Sequence, residues 1–229
     1  MIDRTPVSQA IARQLQQMIR SGELPKSERL PSQRVLSEQL GVSRPSLREA
    51  LMTLETLGLV RTYPGRGTVV ADPSDQPTAN GSHWRYSDDY GMTDVFEVRL
   101  LLEGQLARHA AENSTLEDIS LLNAVTDKME AAWERGDLIA NVDEDLVFHQ
   151  HIAGKSRNSL LLRTYTSLSA MVTETQRQPI PFTALDRMAC SIAEHRAIIA
   201  AVHGRDAEAA QAAMIAHIRN TAACAGISI

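Results

Sequence analysis

Four side chains of the types that bind divalent metals are spaced so that they can meet. Asp145 and His149 are four residues apart in a segment of helical periodicity, so they lie on one face of a helix. His195 and His217 lie about ten residues before and about twelve residues after a turn near residue 204, so they lie level in an antiparallel helical hairpin. One carboxylate and three imidazoles suit a divalent transition metal, zinc first and nickel or manganese as alternatives. Spacing alone leaves ordinary core or surface histidines as an equal alternative.

A second group of chemically suited residues lies in a helix–turn–helix. Ser32 begins a first helix that Gly41 ends, and Ser43 begins a second helix. Arg44 and Arg48 lie one turn apart at the start of that second helix, outside its apolar stripe. Each can bind guanine O6 and N7 in the major groove of DNA. The hydroxyls that can donate to phosphates at the two helix starts are those of Ser32, Ser43 and Ser46. The alternative is that the two arginines are merely solvated.

A hairpin follows the helix–turn–helix. Residues 59–63 and 68–70 are two short β-prone runs, and Pro64-Gly65-Arg66-Gly67 turns between them. A glycine-rich tip with one cation is typical of the wing of a winged helix. Arg66 would then reach the minor groove or a phosphate. The alternative is a hairpin that only completes the domain core.

The elements that must position these residues are mostly helices. Apolar residues at helical spacing predict a helix over residues 7–21, with Val42 buried in the turn of the helix–turn–helix. Residues 72–91 are rich in Pro, Ser, Asp, Asn and Gly, which predicts a linker. We therefore expect a mainly α chain with an N-terminal winged helix-turn-helix (1–71), a linker (72–91) and a C-terminal all-α antiparallel helical bundle of six or seven helices (92–229).

Helix-start signals and apolar stripes predict the helices of the bundle. Helices are predicted from residue 93 or 94, from Thr115 with Asp118 as a capping box, and over residues 137–153, 160–178, 183–203 and 206–225. The predicted core stripes of the first two are Val95, Val98, Leu102, Leu106 and Ala110, and Leu116, Ile119, Leu122, Met129 and Trp133.

Composition and charge restrict the class of protein. The chain of 229 residues is 43% hydrophobic and 22% charged, with a net charge of −5. Residues 1–71 hold 10 basic and 6 acidic residues, whereas residues 72–229 hold 13 and 22, so only the first part suits phosphates. No membrane span or signal segment is expected, and Cys190 and Cys224 form no metal or redox motif. A reducing cytoplasm fits these features.

The first seventy residues also carry a resemblance. The segments LPSQRVLSEQLGVSRPSLREALMTLETLGLV and GRGTVV resemble the GntR family of bacterial transcription regulators. The resemblance implies a sequence-specific DNA-binding protein, not an enzyme, in which the main DNA contacts are Arg34, Arg44, Arg48 and Gly65 at the wing tip. Gln33 departs from the family, which usually has a glutamate before the arginine, and this loosens how Arg34 is held.

The second part resembles the FCD effector-binding domain of the FadR subfamily, over about residues 92–223. The segments are DVFEVRLLLEGQLARHAA, DEDLVFHQHIAG, EHRAIIAAVHGRD and AHI. The resemblance implies the metal ligands Asp145, His149, His195 and His217, and the histidines that match no ligand position are His83, His109, His151 and His203. The pattern E-x-R places Arg99 in the pocket, where it would bind a small carboxylate effector bidentately. The alternative for Arg99 is a salt bridge with Glu103 on a solvated face.

These features together predict an effector-controlled repressor. One winged helix reads too few base pairs for genomic specificity, so a homodimer on a palindromic operator is expected. The effector would bind the DNA-competent and DNA-incompetent states with different affinities. Two alternatives remain: a metal-responsive regulator without an organic effector, and a metal-dependent hydrolase with a DNA-targeting domain.

Overall fold

The computed structural model describes residues 7–63, 65–72, 84 and 86–229, and the chain divides into two compact units, Met1–His83 and Trp84–Ile229. Most of the predicted linker, together with Pro64 of the hairpin turn, lies outside the described residues. The mainly α class is confirmed, because the described residues form ten α-helices and one two-stranded sheet. None of the described helices is long and apolar enough to cross a membrane.

The first unit is a three-helix core followed by a hairpin. Its elements are α1 (Val7–Ser21), α2 (Gln33–Leu40), α3 (Arg44–Thr56), β1 (Val60–Tyr63) and β2 (Gly67–Val70). The core is formed by buried apolar residues at helical spacing on α1 and α3, including Ile11, Leu15, Leu47, Leu51 and Leu54. The strands pair antiparallel, from Val60 opposite Val70 to Tyr63 opposite Gly67.

The caps of the helix–turn–helix form as predicted. The Ser32 hydroxyl accepts from the backbone N–H of Val35 at 3.4 Å, and Gly41 ends α2 in the left-handed conformation with φ 65°. The Ser43 hydroxyl accepts from the N–H of Ser46 at 3.2 Å and so caps α3. Val42 is half-buried rather than buried, because the turn lies near the surface of this small unit.

A third extended segment, which sequence analysis does not predict, pairs with the hairpin. The segment before α2 runs beside β2, where the N–H of Leu30 donates to the carbonyl of Thr68 at 2.9 Å. The N–H of Val70 donates to the carbonyl of Glu28 at 2.9 Å. Gly67 has φ 88°, and a Cβ there would come within 2.8 Å of the Arg29 side chain. Only glycine therefore fits this position without strain.

The second unit is a bundle of seven α-helices. They are α4 (Met92–Asn113), α5 (Leu116–Glu134), α6 (Leu138–Gly154), α7 (Ser159–Ser167), α8 (Ser169–Arg177), α9 (Leu185–His203) and α10 (Ala207–Cys224), with a 3₁₀ turn over Ile180–Phe182. One apolar cluster of the described residues joins α4, α5, α6, α9 and α10 and includes Phe96, Leu122, Phe148, Ile198 and Met214. This cluster fixes the helices that carry the candidate metal ligands.

The helix predicted over residues 160–178 is wrong as a single element. The chain breaks at Leu168, where φ is −97° and ψ is 1°, into α7 and α8. Hydroxyl side chains before the break bond to backbone carbonyls of the preceding turn, as Thr166 does to Leu162 at 2.8 Å and Ser167 does to Thr164 at 2.7 Å. Such bonds compete with the helical ladder and favour a bend.

Two predicted core stripes are partly wrong. On α4, Val98 is 38% exposed, whereas the charged residues Arg99 and Glu103 are 1% and 3% exposed. On α5, Leu116 is 74% exposed because it is the first helical residue, beyond the edge of the core. A period of 3.6 fixes the spacing of a stripe, but a buried charged pair can rotate the helix by one position.

The capping box at the start of α5 is confirmed and extends into an ion-pair cluster. Asp118 accepts from the N–H and hydroxyl of Thr115, both at 2.9 Å. Its other oxygen lies 2.5 Å from Nζ of Lys155 and 2.9 Å from Nε2 of His151, both on or next to α6. The hydrogen bond from Lys155, with those from Thr115, holds the pKa of Asp118 well below its usual range.

We predict that Asp118→Asn lowers the free energy of unfolding by about 1 kcal/mol at neutral pH. The folded-state pKa of Asp118 is depressed, so its contribution is present above the ordinary value of 3.8 and is lost progressively as pH falls from that value through the depressed folded-state pKa. Urea unfolding of both proteins at neutral pH and at about pH 3 should show the difference beginning to shrink in acid. Asp127→Asn, an exposed change on the same helix, should stay within about 0.5 kcal/mol at both pH values.

Candidate metal centre and nucleic-acid interface

Three helices of the bundle bring one carboxylate and three imidazoles together. Asp145 and His149 come from α6, His195 from α9 and His217 from α10, and one ligand atom from each lies within 4.8 Å of the others. The rings of His195 and His217 have centroids 4.4 Å apart, and the ring of His149 lies 5.4 Å from that of His217. Oδ1 of Asp145 lies 2.9 Å from Nε2 of His195 and 3.6 Å from Nε2 of His149.

In each of the three histidines, a protein oxygen lies close to the ring nitrogen Nδ1. Nδ1 of His149 lies 2.5 Å from Oε2 of Glu103, and Nδ1 of His217 lies 2.8 Å from Oε2 of Glu194. Nδ1 of His195 lies 2.8 Å from the backbone carbonyl of Ser191. The contacts at Nδ1 of His195 and His217 are hydrogen bonds, whereas Nδ1 of His149 is close to Glu103 without hydrogen-bond geometry. An oxygen acceptor at Nδ1 favours the tautomer in which Nε2 can bind a metal, and Nε2 of His195 now contacts Asp145 instead.

The charge states of the cluster suit a cation. Burial alone would raise the pKa of Asp145, but His149 and the hydrogen bond with His195 hold it well below its usual range. Burial and repulsion from His195 lower the pKa of His217 to about 4, so its ring is neutral at pH 7. A metal ion needs an ionised carboxylate and neutral imidazoles, and Asp145 and His217 present those forms.

A buried nitrogen without a partner indicates whether these four residues fit a metal ion. Nε2 of His149 is buried and has no hydrogen-bond partner among the described residues. A buried nitrogen without a partner is unfavourable unless a ligand or ion completes it. Ligand atoms about 2.1 Å from one ion in a tetrahedral set lie about 3.4 Å apart, and the four atoms here lie within 4.8 Å, so each needs to move by no more than roughly 0.7 Å. The arrangement fits a divalent transition metal.

A cavity of about 50 Å³ opens beside the cluster. Its wall includes Asp145 and His217 of the cluster together with Arg99, Gln176 and Asn141. Each buried water needs roughly 10–15 Å³ of such space, so the cavity holds about four groups of that size. An ion held by Asp145 and His217 would therefore share one small chamber with the Arg99 side chain.

Arg99 does pair with Glu103, but on a buried face rather than on a solvated one. Its Nε donates to Oε1 of Glu103 at 2.6 Å, and its Nη1 donates to the hydroxyl of Thr175 at 3.1 Å. Its Nη2 is buried and has no partner within the described residues. Burial would raise the pKa of Glu103, but Arg99 and His149 lower it to about 2. The free Nη2 is thus the donor available to a ligand.

Sequence reasoning missed three polar residues that contact the metal ligands or line the cavity beside them. Spacing predicts Glu103 only as the helical partner of Arg99, and its contact with His149 on another helix has no local signal. Glu194 binds His217 and also accepts from both terminal nitrogens of Arg187, at 3.0 and 3.1 Å. Gln176 lies after the helix break that the sequence analysis did not foresee. These three residues are positioned by packing between helices, which no spacing rule reports.

The remaining histidines have other surroundings. His109 bonds to the hydroxyl of Ser156 at 2.8 Å through Nδ1, and His151 belongs to the Asp118 cluster. His203 is exposed at the end of α9, and His83 lies outside the described residues. None of the three described ones belongs to the metal-ligand cluster.

The predicted DNA contacts lie at the surface of the first unit. Arg44 and Arg48 are exposed at the start of α3 and make no hydrogen bond or ion pair with the described part of the chain. Ser43 and Ser46 share a hydroxyl–hydroxyl bond of 2.8 Å beside them. Arg34 is exposed and pairs with Glu38 on the next turn at 2.9 Å, so Glu38 holds the arginine that Gln33 leaves unsupported. Such an exposed pair exchanges readily for a phosphate.

The hairpin tip supplies the last predicted contacts. Gly65 has φ 72° and Arg66 is exposed beside it, with its N–H donating to the carbonyl of Tyr63 at 2.9 Å. All eight predicted DNA contacts therefore belong to α2, α3, their caps and the hairpin tip. Basic side chains and helix N-termini on one small unit can bind phosphates and enter a groove.

Comparison with known proteins gives two family matches. A model of bacterial regulatory proteins of the gntR family matches residues 7–70, and a model of the FCD domain matches residues 94–220. The chain is 33% identical to the Glc operon transcriptional activator of Escherichia coli K12, over 95% of this chain and 88% of that protein. It is 32% identical to the transcriptional regulator LutR of Bacillus subtilis, over 89% of this chain and 94% of that protein.

One further relative is also a transcription regulator, and two solved structures have a similar fold. The transcriptional repressor NanR of Klebsiella aerogenes is 30% identical over 96% of this chain and 85% of that protein. McbR/YncC of E. coli is similar in structure with a TM-score of 0.56 and 20% identity, over 97% and 98% of the chains. The structure of a GntR regulator from Rhodococcus sp. RHA1 has a TM-score of 0.53 and 20% identity, over 97% of this chain and 99% of that chain. Both similarities support the fold. The relatives are regulators and not enzymes, so the hydrolase alternative is dropped.

We predict that zinc stabilises the protein through this cluster. Zinc at about a hundred times its Kd should add about 2.7 kcal/mol, which raises Tm by roughly 5–10 °C. His195→Ala should remove most of this shift. His203→Ala, which removes an exposed histidine from the same helix, should keep it. Scanning calorimetry of protein stripped with chelator and then titrated with zinc measures both, and an equal shift in the two variants would contradict the assignment.

We predict that Arg44→Ala and Arg48→Ala each weaken operator binding about ten- to a hundredfold. The operator is obtained by selection from random duplexes, and binding is followed by fluorescence anisotropy. Arg163→Ala removes the same charge from an exposed site on α7 and should leave the affinity within about twofold. If binding to a scrambled duplex falls as much as binding to the operator, the two arginines contact only phosphates.

Proposed function

Since the chain belongs to the GntR family of bacterial transcription regulators and carries an FCD domain, we propose that a small carboxylate bound at a divalent metal ion controls its affinity for a palindromic operator. The observation that carries the proposal is the shared cavity, in which Asp145 and His217 of the metal cluster face the buried Arg99. DNA is bound by the first unit, and the effector is bound by the second.

The proposed metal is zinc, with nickel or manganese as alternatives. Three neutral imidazoles and one carboxylate are ligands that zinc prefers, and a tetrahedral set can expand to admit a further oxygen. The four residues are Asp145, His149, His195 and His217. Glu103 and Glu194 orient two of the rings, and partners of this kind raise the basicity of the ligands they hold.

The proposed effector is a small carboxylate because the cavity is both cationic and small. A divalent ion and the unpaired Nη2 of Arg99 offer two positive groups to one acid. Nε and Nη1 of Arg99 already donate inside the protein, so the acid would be held through Nη2 and the metal. This replaces the bidentate contact expected from sequence with a contact shared between the arginine and the ion.

The regulator is proposed to act as a homodimer in the cytoplasm, where bacterial operators lie. Two copies double the number of base pairs read, and two-fold symmetry then requires a palindrome. The effector must prefer one of two states of the dimer, and coupling of this kind typically changes affinity by about 5- to 150-fold. Relatives are named as an activator and as repressors. We take repression, with release of DNA on effector binding, as the direction to test.

The alternative is a metal-responsive regulator with no organic effector. It would leave the buried Nη2 of Arg99 without a function, although a buried donor without a partner is costly to keep. It also predicts that chelation alone changes operator affinity at ordinary metal concentrations. The carboxylate proposal predicts that chelation removes the response to the acid.

The test combines calorimetry with operator binding. Zinc-loaded full-length protein is titrated with carboxylates of two to four carbons, and those that bind should weaken the operator complex at least about fivefold. Arg99→Lys keeps a cation beside Glu103 but loses the fork, so carboxylate affinity should fall about tenfold or more while zinc affinity stays within about threefold.

Arg108→Lys, a matched change two turns along α4, should leave both affinities unchanged. If no carboxylate binds the zinc-loaded protein, the effector proposal is wrong. If chelation alone switches operator affinity and Arg99→Lys has no effect on the switch, the metal-responsive alternative is correct.

A further inference from the structure

Gln176 on α8 is buried without a partner. Its side chain is 5% exposed, and neither its amide oxygen nor its amide nitrogen bonds to any described residue. Its neighbours differ in this respect. Thr175 accepts from Arg99 and donates to the carbonyl of Val172 at 2.7 Å, and Gln178 donates to Glu174 at 3.5 Å. Only the amide of Gln176 in this short helix segment is left unsatisfied.

Two unpaired atoms on one buried amide are expensive. Each buried donor or acceptor that lacks a partner lowers the stability of the folded state. A leucine or methionine of similar size would fill the same space without that penalty. Because an amide has both donors and an acceptor, whatever completes it must offer both as well.

The unsatisfied amide lies in the wall of the effector cavity. Gln176 lines it together with Arg99, Asp145 and His217. The guanidinium of Arg99, whose Nη2 is unpaired, suits a carboxylate, whereas a neutral amide suits a hydroxyl or a primary amide. The cavity therefore presents two polar subsites of different chemistry within a volume of about 50 Å³.

The cavity has no second free cation among its described lining residues. Arg187 also lines it, but both of its terminal nitrogens donate to Glu194. A second carboxylate on the effector would thus meet no unpaired positive group beyond the ion and Arg99. A neutral group is the better complement for the part of the cavity that Gln176 lines.

We propose that Gln176 is a specificity-determining residue that reads a neutral hydroxyl or amide group on the effector, while Arg99 and the metal hold its carboxylate. The inference rests on the proposed function and deepens it from small carboxylates in general to small acids with a neutral hydrogen-bonding group. A site built to hydrogen-bond a substrate hydroxyl discriminates strongly against the analogue that lacks it, since its own polar group is left unpaired.

The test uses pairs of acids matched in size. Zinc-loaded full-length protein is titrated by calorimetry with propanoate against 2-hydroxypropanoate and 3-hydroxypropanoate, with pyruvate against oxamate, and with succinate as a dicarboxylate. At least one hydroxyl- or amide-bearing acid should bind about tenfold or more tightly than its plain partner, and more tightly than succinate.

Gln176→Leu removes the amide at nearly constant volume. The preference within each pair should fall below about threefold, while the affinity for propanoate changes by no more than about threefold. The ligand-free variant should have a Tm equal to or above that of the wild type, because an unsatisfied polar group has been removed. Gln178→Leu, a buried glutamine that has a partner, should instead lower Tm and keep the preference.

The outcomes separate this inference from the proposed function. If no acid binds the zinc-loaded protein, the carboxylate effector and the Gln176 inference both fail. If both members of every pair bind equally well, the carboxylate effector stands and the role of Gln176 is wrong. If Gln176→Leu lowers Tm and leaves the preference intact, Gln176 is a structural residue.

Discussion

The effector half of the molecule depends on one buried carboxylate. Glu103 accepts from Nε of Arg99 at 2.6 Å and lies 2.5 Å from Nδ1 of His149. It neutralises the cation that faces the cavity and orients a ring of the metal cluster at the same time. Without it, Arg99 would be a buried charge with no counter-ion, and breaking such a pair is strongly destabilising. An acid at Arg99 and an ion at His149 would therefore act on one shared group.

The bundle exists to hold this arrangement across helices that are distant in sequence. Arg99 and Glu103 come from α4, the ligands from α6, α9 and α10, and the amide of Gln176 from α8. An apolar cluster on α4, α5, α6, α9 and α10 keeps these helices in place. Because packed interiors deform little, a ligand larger than the cavity of about 50 Å³ would displace the helices that line it. That is a physical route by which a small acid can bias a dimer between two states.

Sequence predicts the local features well because their causes are local. Ser32, Gly41, Ser43 and the Thr115 capping box act within one turn, and they form as expected. The convergence of Asp145, His149, His195 and His217 follows from helical spacing and hairpin register, together with the family resemblance. The features that were missed depend on contacts between helices. The break at Leu168, the buried face of Arg99 and the positions of Glu194 and Gln176 follow from which side of each helix meets its neighbours.

The most direct test of this account is X-ray diffraction at the zinc absorption edge, on crystals of full-length protein grown without chelator. The account predicts one anomalous peak in the second unit, within about 2.1 Å of Nε2 of His149, His195 and His217 and within about 2.2 Å of an oxygen of Asp145. A peak bound by other residues, or no peak at this cluster from protein that carries stoichiometric zinc, would contradict it.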